Sequence, residues 1–226
     1  MKPTTSTTNY TAALDAIGRL LEGPYADAPA LIATAKDALQ EPRWNATVAA
    51  LDNFSARWFP LAMEAREELY TAVFDIMPAC VPYVGIHLFG EENYRRGAFM
   101  AALSQRFEQA RFNPGRELPD HIAALLRFAA MAEEDERRDL AKYCLLAPLE
   151  QMIAALKPDI PFRFLLEAAL RLLQAAYPGL EPAPTPLSQH QSATACTPVT
   201  GCGCGAVFSI GNAQEKHAQQ GNLIYG

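Results

Sequence analysis

From about residue 10 to residue 177 the apolar residues of this chain recur every three or four positions, and that period favours helices throughout. Leu14, Ile17 and Leu21 lie on one face of a first segment. Asp27 is placed to cap a second, with Pro29 near its first turn and Leu31, Ile32, Ala35 and Leu39 turned inward. Trp44, Val48, Leu51, Ser55 and Trp58 mark a third. Pro60 separates it from 62–74, and 78–89 reads as a short apolar helix ending at Gly90. Phe99, Ala102, Leu103, Phe107 and Ala110 stripe the segment 91–110. Ile122, Leu125, Leu126, Ala129 and Ala130 follow a turn at Asn113-Pro114-Gly115. The charge run Glu133–Arg138 reads as a solvated helix start. Leu140, Tyr143, Cys144 and Ala147 continue inward until Pro148, which is expected to kink or break the helix. Phe162, Leu165, Leu166, Ala169, Leu170, Leu173 and Tyr177 form the last stripe.

No strand alternation interrupts this pattern, and Pro and Gly fall mostly between the stripes. The expectation is all-α: a single irregular bundle of about eight to nine helices over residues 10–180. A flexible N-terminus, 1–9, precedes it. A Pro-rich linker and a disordered Cys- and Gly-containing tail, 181–226, follow.

Charge and motif content exclude several kinds of protein. The formal net charge of −6, with no basic cluster, argues against nucleic acid as a partner. No apolar run reaches the ~18–20 residues of a membrane helix. The start, Met1-Lys2-Pro3-Thr4, lacks the apolar core of a signal peptide, so a cytoplasmic protein is expected. Five cysteines do not pair into a disulfide framework: Cys80 and Cys144 sit alone, and Cys196, Cys202 and Cys204 cluster late. The nucleotide, hydrolase and zinc-protease motifs are missing, and no cysteine has a nucleophile's context, so no catalytic set is expected.

The most informative stretch is 83–130. It contains Tyr83-Val84-Gly85-Ile86-His87-Leu88-Phe89-Gly90-Glu91, then Arg95-Arg96-Gly97, and later Glu117-Leu118-Pro119-Asp120-His121. Pro119 suits a first helical turn, and Asp120 then lies where the helix dipole favours a negative charge. The dipole disfavours an imidazolium at His121, and a neutral imidazole both donates and accepts a hydrogen bond. Asp120 and His121 read either as an ordinary helix cap or as a polar patch at a helix mouth. His87 reads either as a satisfied core or groove-edge residue or as a binding one.

Together these pieces resemble the nitrate reductase delta-subunit family, assembly chaperones of molybdoenzymes, grouped with the chaperones of trimethylamine-N-oxide and dimethyl sulfoxide reductases. The likeness rests on Tyr83, His87, Gly90, Glu91, Arg96 and Gly97, and on Glu117, Pro119, Asp120 and His121. Phe74-Asp75 and Cys80 add to it, and it extends over about residues 45–177. The resemblance implies a chaperone that binds the N-terminal segment of a molybdenum oxidoreductase's catalytic (alpha) subunit. Such a chaperone assists molybdenum cofactor insertion and complex assembly while binding no cofactor stably itself. A segment docking as a helix needs apolar anchors and a polar rim. On that implication Asp120 and His121, with Glu117 and Pro119, form the polar side, and Tyr83, His87 and Phe89 the opposing wall. Arg95 and Arg96 read as partners of Glu91, Glu92 or a client carboxylate, with a surface ion pair as the default.

The tail fits the resemblance nowhere. Cys196, Cys202 and Cys204, with flexible glycines between them, are weak candidates for a metal, because the spacing lacks a C-x2-C knuckle. A metal-handling protein using that tail, or a helical adaptor, are the alternative functions.

Overall fold

The computed structural model of the chain describes residues 7–24 and 27–187. Among them the regular structure is helical and no strand forms. The helices are α1 (Thr7–Leu20), α2 (Ala28–Asp37), α3 (Asn45–Trp58), α4 (Met63–Phe74), α5 (Val84–Phe89), α6 (Tyr94–Gln109), α7 (Ile122–Met131), α8 (Glu134–Leu140), α9 (Leu146–Ala155) and α10 (Pro161–Ala176). A 3-10 turn at Pro42–Trp44 leads into α3. A π segment, Ala141–Leu145, joins α8 to α9, so these two form one rod and the described bundle has nine. The all-α bundle is thus what the chain forms. The expected tail, with Cys196, Cys202 and Cys204, lies outside the described residues, as does most of the 1–9 segment.

Two packing pairs dominate, α10 on α3 and α1 on α7. Helix α10 starts at Pro161, whose missing N–H is harmless in a first turn. It buries Phe162, Leu165, Leu166, Ala169, Leu172 and Leu173, while Arg171 and Gln174 face out. The Phe162 ring lies between 4.9 and 6.2 Å from those of Phe54, Trp58, Tyr70 and Phe74, knitting α3, α4 and α10 together. Helix α7 differs from its one-sided expectation. Ala123, Ala124 and Phe128 are buried beside Ile122, Leu125, Leu126 and Ala129, so it is central, wrapped by neighbours on most sides.

Two expectations need correction. Pro148 does not break its helix. The carbonyl turn before it widens into the π segment, which relieves the clash a proline ring makes with the carbonyl four residues earlier. The 133–138 run is not wholly solvated either. Arg137 is buried and donates Nε–H to Ala129 O at 2.8 Å and a second N–H to Ala132 O, closing the C-terminus of α7. It also donates to the Tyr10 hydroxyl, which contacts Tyr177 at 3.1 Å, so one guanidinium ties together α1, α7 and the end of α10.

The residues after α10 pack on the body. The Ala183 N–H donates to Lys142 O at 2.9 Å, and Thr185 is buried.

Candidate functional site

Residues 75–83 connect α4 to α5 without regular structure. Their irregularity follows from Pro78 and Pro82, which supply no backbone donor, and from Met77, whose φ of 52° is left-handed. The expected helix over 78–89 therefore starts only at Val84 and ends at Gly90, where φ is 89°. The loop leaves Ile76 79% and Met77 92% exposed, the most exposed large aliphatic side chains among the described residues.

Residues 82–84 lie antiparallel to 120–122. The Val84 N–H donates to Asp120 O and the Ile122 N–H to Pro82 O, both at 2.8 Å, forming a single bridge between Tyr83 and His121. This pairing moves the start of α7. Pro119 and Asp120 precede the helix, and His121 is its N-cap, with Nδ1 accepting the Ala123 N–H at 3.2 Å. Burial lowers the His121 pKa to about 4, so the ring is neutral at pH 7.

The same bridge brings the two motif pieces into one cluster. Arg96 donates Nε–H to Asp120 Oδ2 at 2.9 Å, in place of the surface pairing expected for it. The Asp120 side chain is fully buried, and that of Arg96 is 15% exposed. Tyr83 lies over the Arg96 guanidinium at 5.6 Å and meets the His121 ring edge-on at 5.5 Å. Gly85 makes the approach possible, since a Cβ there would stand 2.6 Å from Asp120 Oδ2 and 2.9 Å from Arg96 Cγ. Among the described residues Asp120 Oδ1 has no hydrogen-bond partner, so the knot combines a buried ion pair with an unsatisfied carboxylate oxygen.

In front of the knot lies a groove of about 420 Å³. Phe74, Val81, Pro82, Tyr83 and Ile86 form its apolar surface. Asp75 and Glu91, both exposed, place carboxylates on its rim, and Ile76 and Pro78 form one edge. Burial raises the Tyr83 hydroxyl pKa, and the carboxylates of Glu117, Asp120 and Asp75 push it the same way against Arg96.

Of the residues expected to bind a client, Tyr83 reaches the groove, and Phe74, Asp75 and Glu91, which carried the resemblance, line it too. Asp120 and His121 stand behind it, buried. Glu117 is half-buried nearby, and Pro119 sits in the turn that carries Asp120. His87 points elsewhere: its Nε2 lies 2.9 Å from Val81 O and its Nδ1 3.3 Å from Gln151 Oε1, pinning α5 to the loop and to α9. Phe89 packs 5.6 Å from Phe99, between α5 and α6. The sequence reading missed Ile76, Met77, Ile86 and the Arg96–Asp120 pairing. Cys80 is buried behind the loop with its thiol pKa pushed up to about 12 by desolvation, so it is an inert packing residue.

A second concave surface, about 350 Å³, lies at the other end of α7 between Thr11, Asp15, Phe112, Arg127 and Met131. Its cation is already engaged, with Arg127 paired to Glu22 and stacked over Phe112. Among the described residues no group of three or more His, Cys, Asp or Glu is arranged to hold a metal ion.

Residues 36–158 match the family model described as nitrate reductase delta subunit. That span includes the loop, the groove and the whole polar knot. No curated protein matches the chain by sequence.

Proposed function

The chain belongs to the nitrate reductase delta subunit family, a family of chaperones for nitrate reductase assembly, and from that premise we propose a specific mode of action. The groove beside Tyr83 holds the N-terminal segment of a molybdenum oxidoreductase's catalytic subunit, keeping the subunit open while molybdenum cofactor is inserted. The chaperone works in the cytoplasm and transforms no substrate. Among its described residues no helix is long and apolar enough to cross a membrane.

The observation that carries this reading is an apolar surface, exposed at Ile76 and Met77, bordered by carboxylates and backed by a rigid polar knot. Such a surface suits an amphipathic segment with apolar anchors and Lys or Arg beside them. Phe74, Tyr83 and Ile86 receive the anchors, and Asp75 and Glu91 meet the cations. Asp120 and His121 act from behind. They fix the 82–84 backbone and, through Arg96, the Tyr83 ring. They are positioning residues, and the helix-mouth role that the sequence suggested for them passes to Tyr83. Holding a client this way requires binding energy alone, which suits the family's chaperone role.

Co-purification tests the proposal. A tagged full-length chain should retain the molybdopterin-binding large subunit of its host, more so when cofactor synthesis is blocked. An Ile86→Asp substitution on the groove surface should abolish retention while leaving the thermal midpoint within a few degrees. Undiminished capture by Ile86→Asp would remove the groove from the mechanism.

A further inference from the structure

The polypeptide that follows the bundle departs from the rim of the groove. After α10 the chain crosses the π segment through the Ala183–Lys142 hydrogen bond and buries Thr185. Leu187 Cδ1 then lies 3.7 Å from where a Cβ on Gly90 would stand. Gly90 is followed at once by Glu91, a groove residue. Residues 188–226 therefore continue from a point next to the proposed client site.

The composition of that continuation is unusual beside such a site. Residues 191–214 contain no Asp, Glu, Lys, Arg or His. Within them Ala206-Val207-Phe208-Ser209-Ile210, flanked by Gly205 and Gly211, is the most apolar run. We propose that 206–210 of the same chain occupies the groove when no client does, and that a client displaces it. The proposal rests on the reading of the groove given above and adds its occupant in the resting state.

Magnitudes favour a weak placeholder. The chain from residue 188 to residue 206 can reach at most roughly 60 Å, enough to return to the groove from the rim. Such a tether gives an effective concentration on the order of mM. Burying Phe208 and the two branched residues favours the groove, and ordering the segment opposes it. An intrinsic Kd of about 0.1 mM would then keep the groove roughly nine-tenths occupied. An uncharged segment leaves Asp75 and Glu91 unanswered. A client that is apolar and also basic satisfies both, so it displaces the tail while a merely apolar polypeptide competes poorly.

Nuclear magnetic resonance on the full chain tests this without any client. The amide resonances of Ile76, Tyr83 and Ile86 are compared between the natural sequence and the triple variant V207D/F208D/I210D. The expected result is a shift at the groove that persists unchanged on tenfold dilution. A synthetic peptide of residues 201–213, kept reduced and added to the triple variant, should restore the original positions with a Kd of about 0.1 mM. The control L223D/I224D should leave the groove resonances in place. Identical groove spectra for the natural and triple-variant chains would overturn the proposal, as would a difference that vanishes on dilution, which would identify a second copy as the occupant. Groove shifts produced by the control alone would overturn the assignment to 206–210. Because no client enters the assay, failure here leaves the chaperone reading standing. Conversely, tail occupancy together with no capture of a large subunit would sink that reading alone.

Discussion

The body around Phe162 and the corner around Asp120 are both buried, yet they are built from opposite materials. In the body, α3, α4 and α10 meet through aromatic and aliphatic side chains, and the backbone satisfies itself inside helices. In the corner the backbone is irregular, and an ion pair, a neutral imidazole and an unpartnered carboxylate oxygen occupy the interior. Apolar packing makes the body stable. The polar knot gives one loop a single shape next to an apolar groove, a use of buried polar groups that trades stability for definition.

The sharpest way to break this contrast is to truncate one residue in each region. Phe162→Ala should destabilise the protein by about 3–5 kcal/mol in chemical denaturation, while the folded fraction keeps its client affinity. A loss of affinity per folded molecule would mean that the body and the groove are not separable.

In the corner, Arg96→Ala should cost about 3 kcal/mol, because a fully buried carboxylate then loses the cation paired with it. Asp120→Asn should cost less, since the partly exposed Arg96 can turn toward water. The double variant Arg96→Met with Asp120→Asn should recover much of the loss. Equal and negligible costs for both single variants would show that the pair does not hold the corner.

Acid distinguishes the regions next. The His121 pKa is depressed from 6.5 to about 4 in the folded state, so its protonation favours unfolding. Its contribution is fully present above pH 6.5 and is lost progressively as pH falls toward 4. Between pH 7 and pH 5 the loss amounts to about 2 kcal/mol for this group. His121→Gln should flatten the pH dependence of the unfolding midpoint over that interval by a comparable amount. An unchanged slope would mean that the ring is already charged in the native protein.

The smallest effect belongs to the rim. Asp75→Asn with Glu91→Gln should leave stability unchanged and weaken client binding several-fold at low salt, with the difference shrinking as ionic strength rises. A salt-independent effect would point to lost packing instead of lost charge.

The contrast also explains what the sequence disclosed. The α10 stripe was legible because Phe162, Leu165, Leu166, Ala169 and Leu173 share a local period that depends on no distant residue. The start of α7 was misplaced by two to three residues because local rules favour Pro119 in a first turn. Hydrogen bonds from 82–84, far away in sequence, decide the matter by claiming the Asp120 carbonyl and the Ile122 N–H. Arg96 was assigned to its near neighbours for the same reason, since its partner lies 24 residues away. The groove was hidden because 78–89 read as one apolar helix, whereas Pro78 and Pro82 keep the chain irregular up to Val84. The exposure of Ile76 and Met77 emerges only once the loop around them is closed.

The account stands on the groove being the surface that touches the client, and site-specific photocrosslinking reads that contact directly. A photoreactive amino acid replaces Ile76 at the groove edge or Met131 on the second concave surface, roughly 14 Å or more away along α7. Each full-length chain is co-expressed with the catalytic subunit and irradiated. The account predicts a covalent adduct with the N-terminal segment of that subunit from position 76 and none from position 131. Adducts from position 131 alone would contradict it.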